Sequence, residues 1–148
     1  MKTEKNTLIE RYVENNFFGK SLGMDFKIIK DGEVDYFITI KKEHLATPHA
    51  THGGVIAALI DGALGIAGLS AVHQENKVVS TVEYKTNFLA PAFLNDQLVA
   101  KGKVEQKGNR LLIISCDVFC VNRENKLIAK ALGTFNAYNV NIRPSTSP

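Results

Sequence analysis

Apolar positions along this chain recur with two different periods, and the change of period marks out its elements. In residues 4–17, Leu8, Ile9, Tyr12, Val13 and Phe17 fall on one helical stripe, and Phe17-Phe18-Gly19-Lys20 reads as its end. Met24–Ile29 and Val34–Ile40 are short β-forming runs joined by an Asp31-Gly32 turn signal. Residues 44–51 contain Pro48 and no period, so they predict a loop. Gly53–Val72 is a long helical run with no polar face, which predicts a helix buried on all sides. Four further strands follow, at Val78–Leu89, Leu98–Gln106, Leu111–Asn122 and Lys126–Tyr138. The last ten residues, 139–148, carry two prolines and read as a frayed tail. The order α-β-β-α-β-β-β-β predicts an α+β domain in which an antiparallel sheet curls around one central helix.

Composition narrows the class. The chain has 148 residues, 45% of them hydrophobic and 22% charged, which suits a single globular domain with a real core. A net charge of +3 with scattered basic residues argues against nucleic acid as a partner, while leaving a phosphorylated or CoA-linked substrate favourable. Cys116 and Cys120 lie on one side of one predicted strand, where a mutual disulfide does not fit; core thiols in a cytoplasmic protein are the expectation. The polar first ten residues are not a signal peptide. The run from Gly53 to Val72 is about long enough to cross a bilayer. Its central Asp61, the lack of flanking basic anchors and a mean hydropathy of -0.06 all speak against a membrane span.

Candidate chemistry concentrates at the start of the long helix. Thr51-His52-Gly53-Gly54 opens it, so bare backbone N–H groups stand at a helix N-terminus, a natural site for an oxyanion. Asp61 sits inside the apolar run, where an isolated carboxylate is costly unless it has a partner or a use. The plain alternatives are an interface Asp, a His52 ring that only fixes the turn, and glycines kept for tight packing. His44, His49 and His52 are close in sequence but match no zinc spacing, so no metal and no separate cofactor are expected. Lys85, Lys107 and Arg110 are candidates to meet CoA phosphates, against the reading of plain solvated charges.

The segment His52-Gly53-Gly54-Val55-Ile56-Ala57-Ala58-Leu59-Ile60-Asp61, in this order of elements, resembles the hotdog-fold acyl-CoA thioesterases of the phenylacetic acid degradation type, related to the 4-hydroxybenzoyl-CoA thioesterases. Thr81-Val82-Glu83-Tyr84-Lys85 through Pro91-Ala92, Lys107-Gly108-Asn109-Arg110 and Ala131-Leu132-Gly133-Thr134-Phe135 carry the likeness through residues 20–138. The resemblance implies a helix wrapped by the sheet, homodimers that join their sheets, and homotetramers built from them. It implies that Gly53, next to Gly54, offers its N–H to a thioester carbonyl. It further implies that Asp61 is the general base or nucleophile and that Thr81 helps hold the attacking water. The chain departs from the pattern in three places: an Asn six residues before the His and a Gly three before it are here Ala46 and His49, with Thr47 and His49 the nearest polar groups, and a Gly soon after the Pro-Ala turn is replaced by Phe93-Leu94-Asn95-Asp96. The runner-up reading is a hotdog domain that binds an acyl ligand without turning it over.

Spacing constrains such a site. Eight residues of helix separate Gly53 from Asp61, roughly 12 Å along the axis and about 80° around it. An Asp side chain cannot span that, so one copy of the chain cannot join these two parts. Two helices paired antiparallel across a two-fold axis can, giving two sites per dimer.

Overall fold

The computed structural model describes residues 7–140. Two short helices, α1 (Thr7–Asn15) and α2 (Phe17–Leu22), precede β1 (Asp25–Lys30) and β2 (Glu33–Thr39). A loop containing a 3-10 turn leads to α3 (Gly53–Val72), and β3 (Lys77–Phe88), β4 (Gln97–Lys107), β5 (Leu111–Cys120) and β6 (Lys126–Asn139) complete the chain. All six strands form one antiparallel sheet in the order β1-β2-β4-β5-β6-β3. This is the α+β arrangement read from the sequence.

The single N-terminal helix expected over 4–17 is instead two helices; residues 4–6 lie outside the described range. Asn16 separates the two, its Oδ1 accepting from the Gly19 amide and capping α2. The break also divides the apolar stripe. Leu8, Ile9 and Tyr12 pack on the core, whereas Phe17 is 70% exposed. Of the tail predicted to fray, Asn139 ends β6, Val140 donates its N–H to the Asn76 carbonyl, and the remainder lies outside the described residues.

Strict alternation builds the inner face of the sheet. In β5, Leu112, Ile114, Cys116, Val118 and Cys120 are all buried, and the residues between them point outward. Both cysteines are free thiols, and burial pushes Cys116 up to about 12, so it stays protonated. The outer face carries cross-strand ion pairs such as Lys101–Asp35 and Lys130–Asp117 beside exposed apolar side chains such as Phe37 and Leu132.

The concave face wraps α3. Leu59, Ile60, Ala63, Leu64 and Ala67 have no exposed surface, and each large side chain so buried is worth about 1.5–3 kcal/mol. The approach to β4 is close enough that a Cβ at Gly102 would lie 2.6 Å from the Ala63 carbonyl oxygen. Ser70, buried within α3, accepts from the Gly32 amide at 2.8 Å and pins the predicted Asp31-Gly32 turn to the helix. By length and composition α3 passes for a membrane span, yet most of its surface is covered by the sheet. The cover is incomplete, contrary to the expectation of burial on all sides: Gly54 is exposed, and Ala58, Asp61, Gly62 and Gly65 are only half-buried. A curled sheet encloses three sides of a helix, and the fourth side carries the candidate residues.

Candidate active site

The turn before α3 is built by its own side chains. His52 is extended (φ -62°, ψ 132°) and is the N-cap, its Nδ1 accepting from the Gly54 amide at 2.7 Å. Gly54 must be small for this, since a Cβ there would sit 2.8 Å from that nitrogen. The amides at this helix start therefore differ: the Gly54 N–H is engaged by His52, and the Gly53 N–H has no hydrogen-bond partner among the described residues. Gly53 is exposed beside the Phe88 ring, in a recess of about 330 Å³ that also involves Thr51, Ile56 and Ala90.

Asp61 faces β3 two turns further along. Its Oδ1 accepts from the Thr81 hydroxyl at 2.8 Å. The Tyr84 hydroxyl donates to the Ala57 carbonyl at 3.0 Å, which ties β3 to the turn of α3 that carries Asp61. Burial, and then the negative charge of Asp61, push the Tyr84 phenol above its ordinary range. Tyr12 of α1 is raised further still, by burial first, then by its bond to Tyr36 and by the charges of Tyr36 and Asp61. Both phenols are neutral at ordinary pH. The Asp61–Thr81 pair opens into a cavity of about 440 Å³ between α3, β3 and α1.

The two halves do not meet within one chain. The cavity at Asp61 and the recess at Gly53 share no lining residue. Lys85 and Arg110 are exposed and line neither. Ala46 and His49 are exposed, and Thr47 is committed to its own turn, its Oγ1 accepting from the Ala50 amide at 2.9 Å. The three histidines do not converge: His44 is buried with Nδ1 accepting from the Lys41 amide, and His52 is the helix cap. Among the described residues no group of three His, Cys, Asp or Glu side chains is arranged to hold a metal.

Three residues of this region lie beyond the sequence reading: Tyr84, Tyr36 and Tyr12. The first two read as strand formers and the third as part of a packing stripe. The available signal was that a buried tyrosine hydroxyl needs a partner.

Comparison with known proteins decides the family. The model of the thioesterase superfamily matches residues 49–126, more than half of the chain and the segment that holds both half-sites. The chain belongs to the thioesterase superfamily. An Archaeoglobus fulgidus protein bearing a provisional esterase name is 29% identical to this superfamily member over 147 residues, covering 97% of this chain and 92% of its own. The acyl-coenzyme A thioesterase PaaI of Escherichia coli is 28% identical over 120 residues, 78% of this chain and 79% of its own. The solved E. coli PaaI structure superposes with a TM-score of 0.83 at 22% identity, covering 94% of this thioesterase-superfamily chain and 96% of that one. The fold is therefore the hotdog fold.

Proposed function

We propose that the protein hydrolyses acyl-CoA thioesters to the free acid and CoA, with Asp61 as general base and the Gly53 amide as oxyanion donor. The observation that carries this is the Thr81–Asp61 hydrogen bond, 2.8 Å long, at the mouth of a cavity on the open side of an apolar helix. The hydroxyl donates to one carboxylate oxygen. The second carboxylate oxygen and the lone pairs of Thr81 are left as two acceptors for one water. A water so held attacks the thioester carbonyl carbon while Asp61 takes its proton. Negative charge then develops on the carbonyl oxygen, where an oriented N–H at a helix N-terminus stabilises it. The carbon–sulfur bond breaks, and the proton on Asp61 passes to the departing CoA thiolate.

The donor comes from a second copy of the chain. β3 is an edge strand, and Val82, Phe88 and Leu89 on or next to it are more than half exposed, which suits pairing with another strand. Thr81 and Phe88 mark its two functional ends: Thr81 bonds Asp61, and Phe88 lies 3.8 Å from a Cβ position at Gly53. Antiparallel pairing of β3 with its two-fold copy about Tyr84–Lys85 sets Thr81 opposite the partner's Phe88. The amide next to that ring then stands over Asp61, and both half-sites are completed twice per dimer. This supports a homodimer as the catalytic unit.

Release of CoA thiol from a panel of acyl-CoA esters, followed with a thiol-reactive dye, tests the activity. The buried Cys116 and Cys120 leave the dye to report CoA. Turnover by the wild type that is lost in Asp61→Asn is the expected result. A folded dimer that binds the panel without releasing thiol would instead make this an acyl-ligand binding protein.

A further inference from the structure

The cavity at Asp61 has a direction. It follows α3 from Asp61 past Gly65 to Leu69, and β3 from Thr81 back to Val78. Its reactive pair is at one end, and apolar Leu69 and Val78 are at the other. Exposed Arg11 and Ser80 also border it. The eight helical residues from Asp61 to Leu69 make it about 12 Å long.

One wall is the N-terminal helix, through Leu8 and Tyr12. That wall is held in place. The Tyr12 and Tyr36 hydroxyls are 3.2 Å apart, and Asn16 Nδ2 donates to the Tyr36 hydroxyl at 3.0 Å. The Phe26 ring stacks on Tyr36 and meets Tyr12 edge-on. Tyr36 in turn presses against Gly62, beside Asp61.

The glycines of α3 separate packing from access. A Cβ at Gly62 would lie 2.8 Å from the Tyr36 ring, and one at Gly68 would lie 3.0 Å from Ile114. These two admit the sheet. At Gly65 the nearest atom of the described residues to an added Cβ is a Phe135 ring carbon at 4.0 Å, which leaves room among them for a methyl group. A mid-helix glycine forfeits about 1 kcal/mol relative to alanine. Among the described residues no packing contact requires that loss; the space an alanine would occupy is the cavity.

We propose that Gly65, Leu8 and Tyr12 set the bore of an acyl chamber that starts at Asp61 and ends at Leu69. With carbon–carbon bonds of about 1.5 Å, its length accepts an unbranched acyl chain of roughly eight to ten carbons. The assignment rests on the hydrolase reading of the Asp61–Thr81 pair.

The test uses S-alkyl-CoA thioethers of graded chain length, which bind but cannot be hydrolysed, with calorimetry on the dimeric protein. Wild-type affinity rises about fourfold per methylene, then stops rising near the chamber's length. Gly65→Ala raises the melting temperature yet moves that stop to shorter chains. Leu8→Ala moves it to longer chains, and the shortest thioethers bind all three proteins alike. An unchanged length profile in both variants would overturn the assignment, as would a Gly65→Ala protein that loses its dimer while Leu8→Ala stays silent. Running the matching thioesters separates the two layers. Length-dependent binding without turnover removes the hydrolase reading and keeps the chamber; turnover with an unmoved profile does the reverse.

Discussion

Replacing Gly53 with proline deletes one N–H and little else. Gly53 is the first residue of α3, a position where proline is well tolerated and its missing hydrogen has no helical partner to lose. The preceding residue must be extended when proline follows, and His52 already is, at φ -62° and ψ 132°. Among the described residues a Cβ at position 53 meets only the Phe88 ring, at an ordinary 3.8 Å. The Gly54 amide stays bonded to His52 and cannot take over without uncapping the helix. If the Gly53 N–H binds the oxyanion, its removal costs the transition state about 2.7–4 kcal/mol, or roughly 10²–10³-fold in kcat. Gly53→Ala keeps the N–H and stays close to wild type. The assay is thiol release from the best acyl-CoA of the panel, with melting temperature as the control for folding. A Gly53→Pro protein that melts like wild type and retains wild-type kcat would refute the assignment of this amide.

Two further outcomes follow from named contacts. Thr81→Val, isosteric and suited to a strand, removes the donor to Asp61; a hydrogen bond to a charged group is worth about 1.5–3 kcal/mol, so kcat falls roughly 10- to 150-fold while Thr81→Ser restores much of it. Glu75 is held below the usual carboxylate range by its bond to Lys107, with Lys77 adding to the effect. A lowered folded-state pKa adds stability that is present above the unfolded pKa of about 4.3 and is lost as pH falls through the lower folded value. Melting curves across that acid range therefore converge for wild type and Glu75→Gln, with a small gap at neutral pH that salt closes, because the pair is exposed.

The sheet and the central helix were legible because their signals are local and periodic. β5 alternates without a slip over five inward residues, and His52 before two glycines marks the start of α3 to the residue. The N-terminal boundary was not legible, since Asn16 acts through a cap that interrupts an otherwise continuous stripe. Helical spacing alone placed Gly53 and Asp61 too far apart for one site, and the structure puts them in separate recesses. What spacing could not reach were contacts across long sequence separations. Tyr12 meets Tyr36 only because α1 lies against β2, and Thr81 meets Asp61 only because β3 docks against α3. The distinct roles of the neighbouring glycines were equally hidden, because they depend on where one imidazole nitrogen points.

A site shared between two copies is tested most directly by mixing two inactive proteins. Asp61→Asn lacks the base but keeps the Gly53 amide; Gly53→Pro lacks the amide but keeps the base. After subunit exchange, half of the dimers are hybrids, and each hybrid has one site with both defects and one with neither. Thiol release that returns on mixing to about one quarter of the wild-type rate is the predicted result, since one site in four is then intact. Mixed protein that stays as inactive as its parents, with exchange confirmed by mass, would contradict an active site built from Asp61 of one chain and Gly53 of the other.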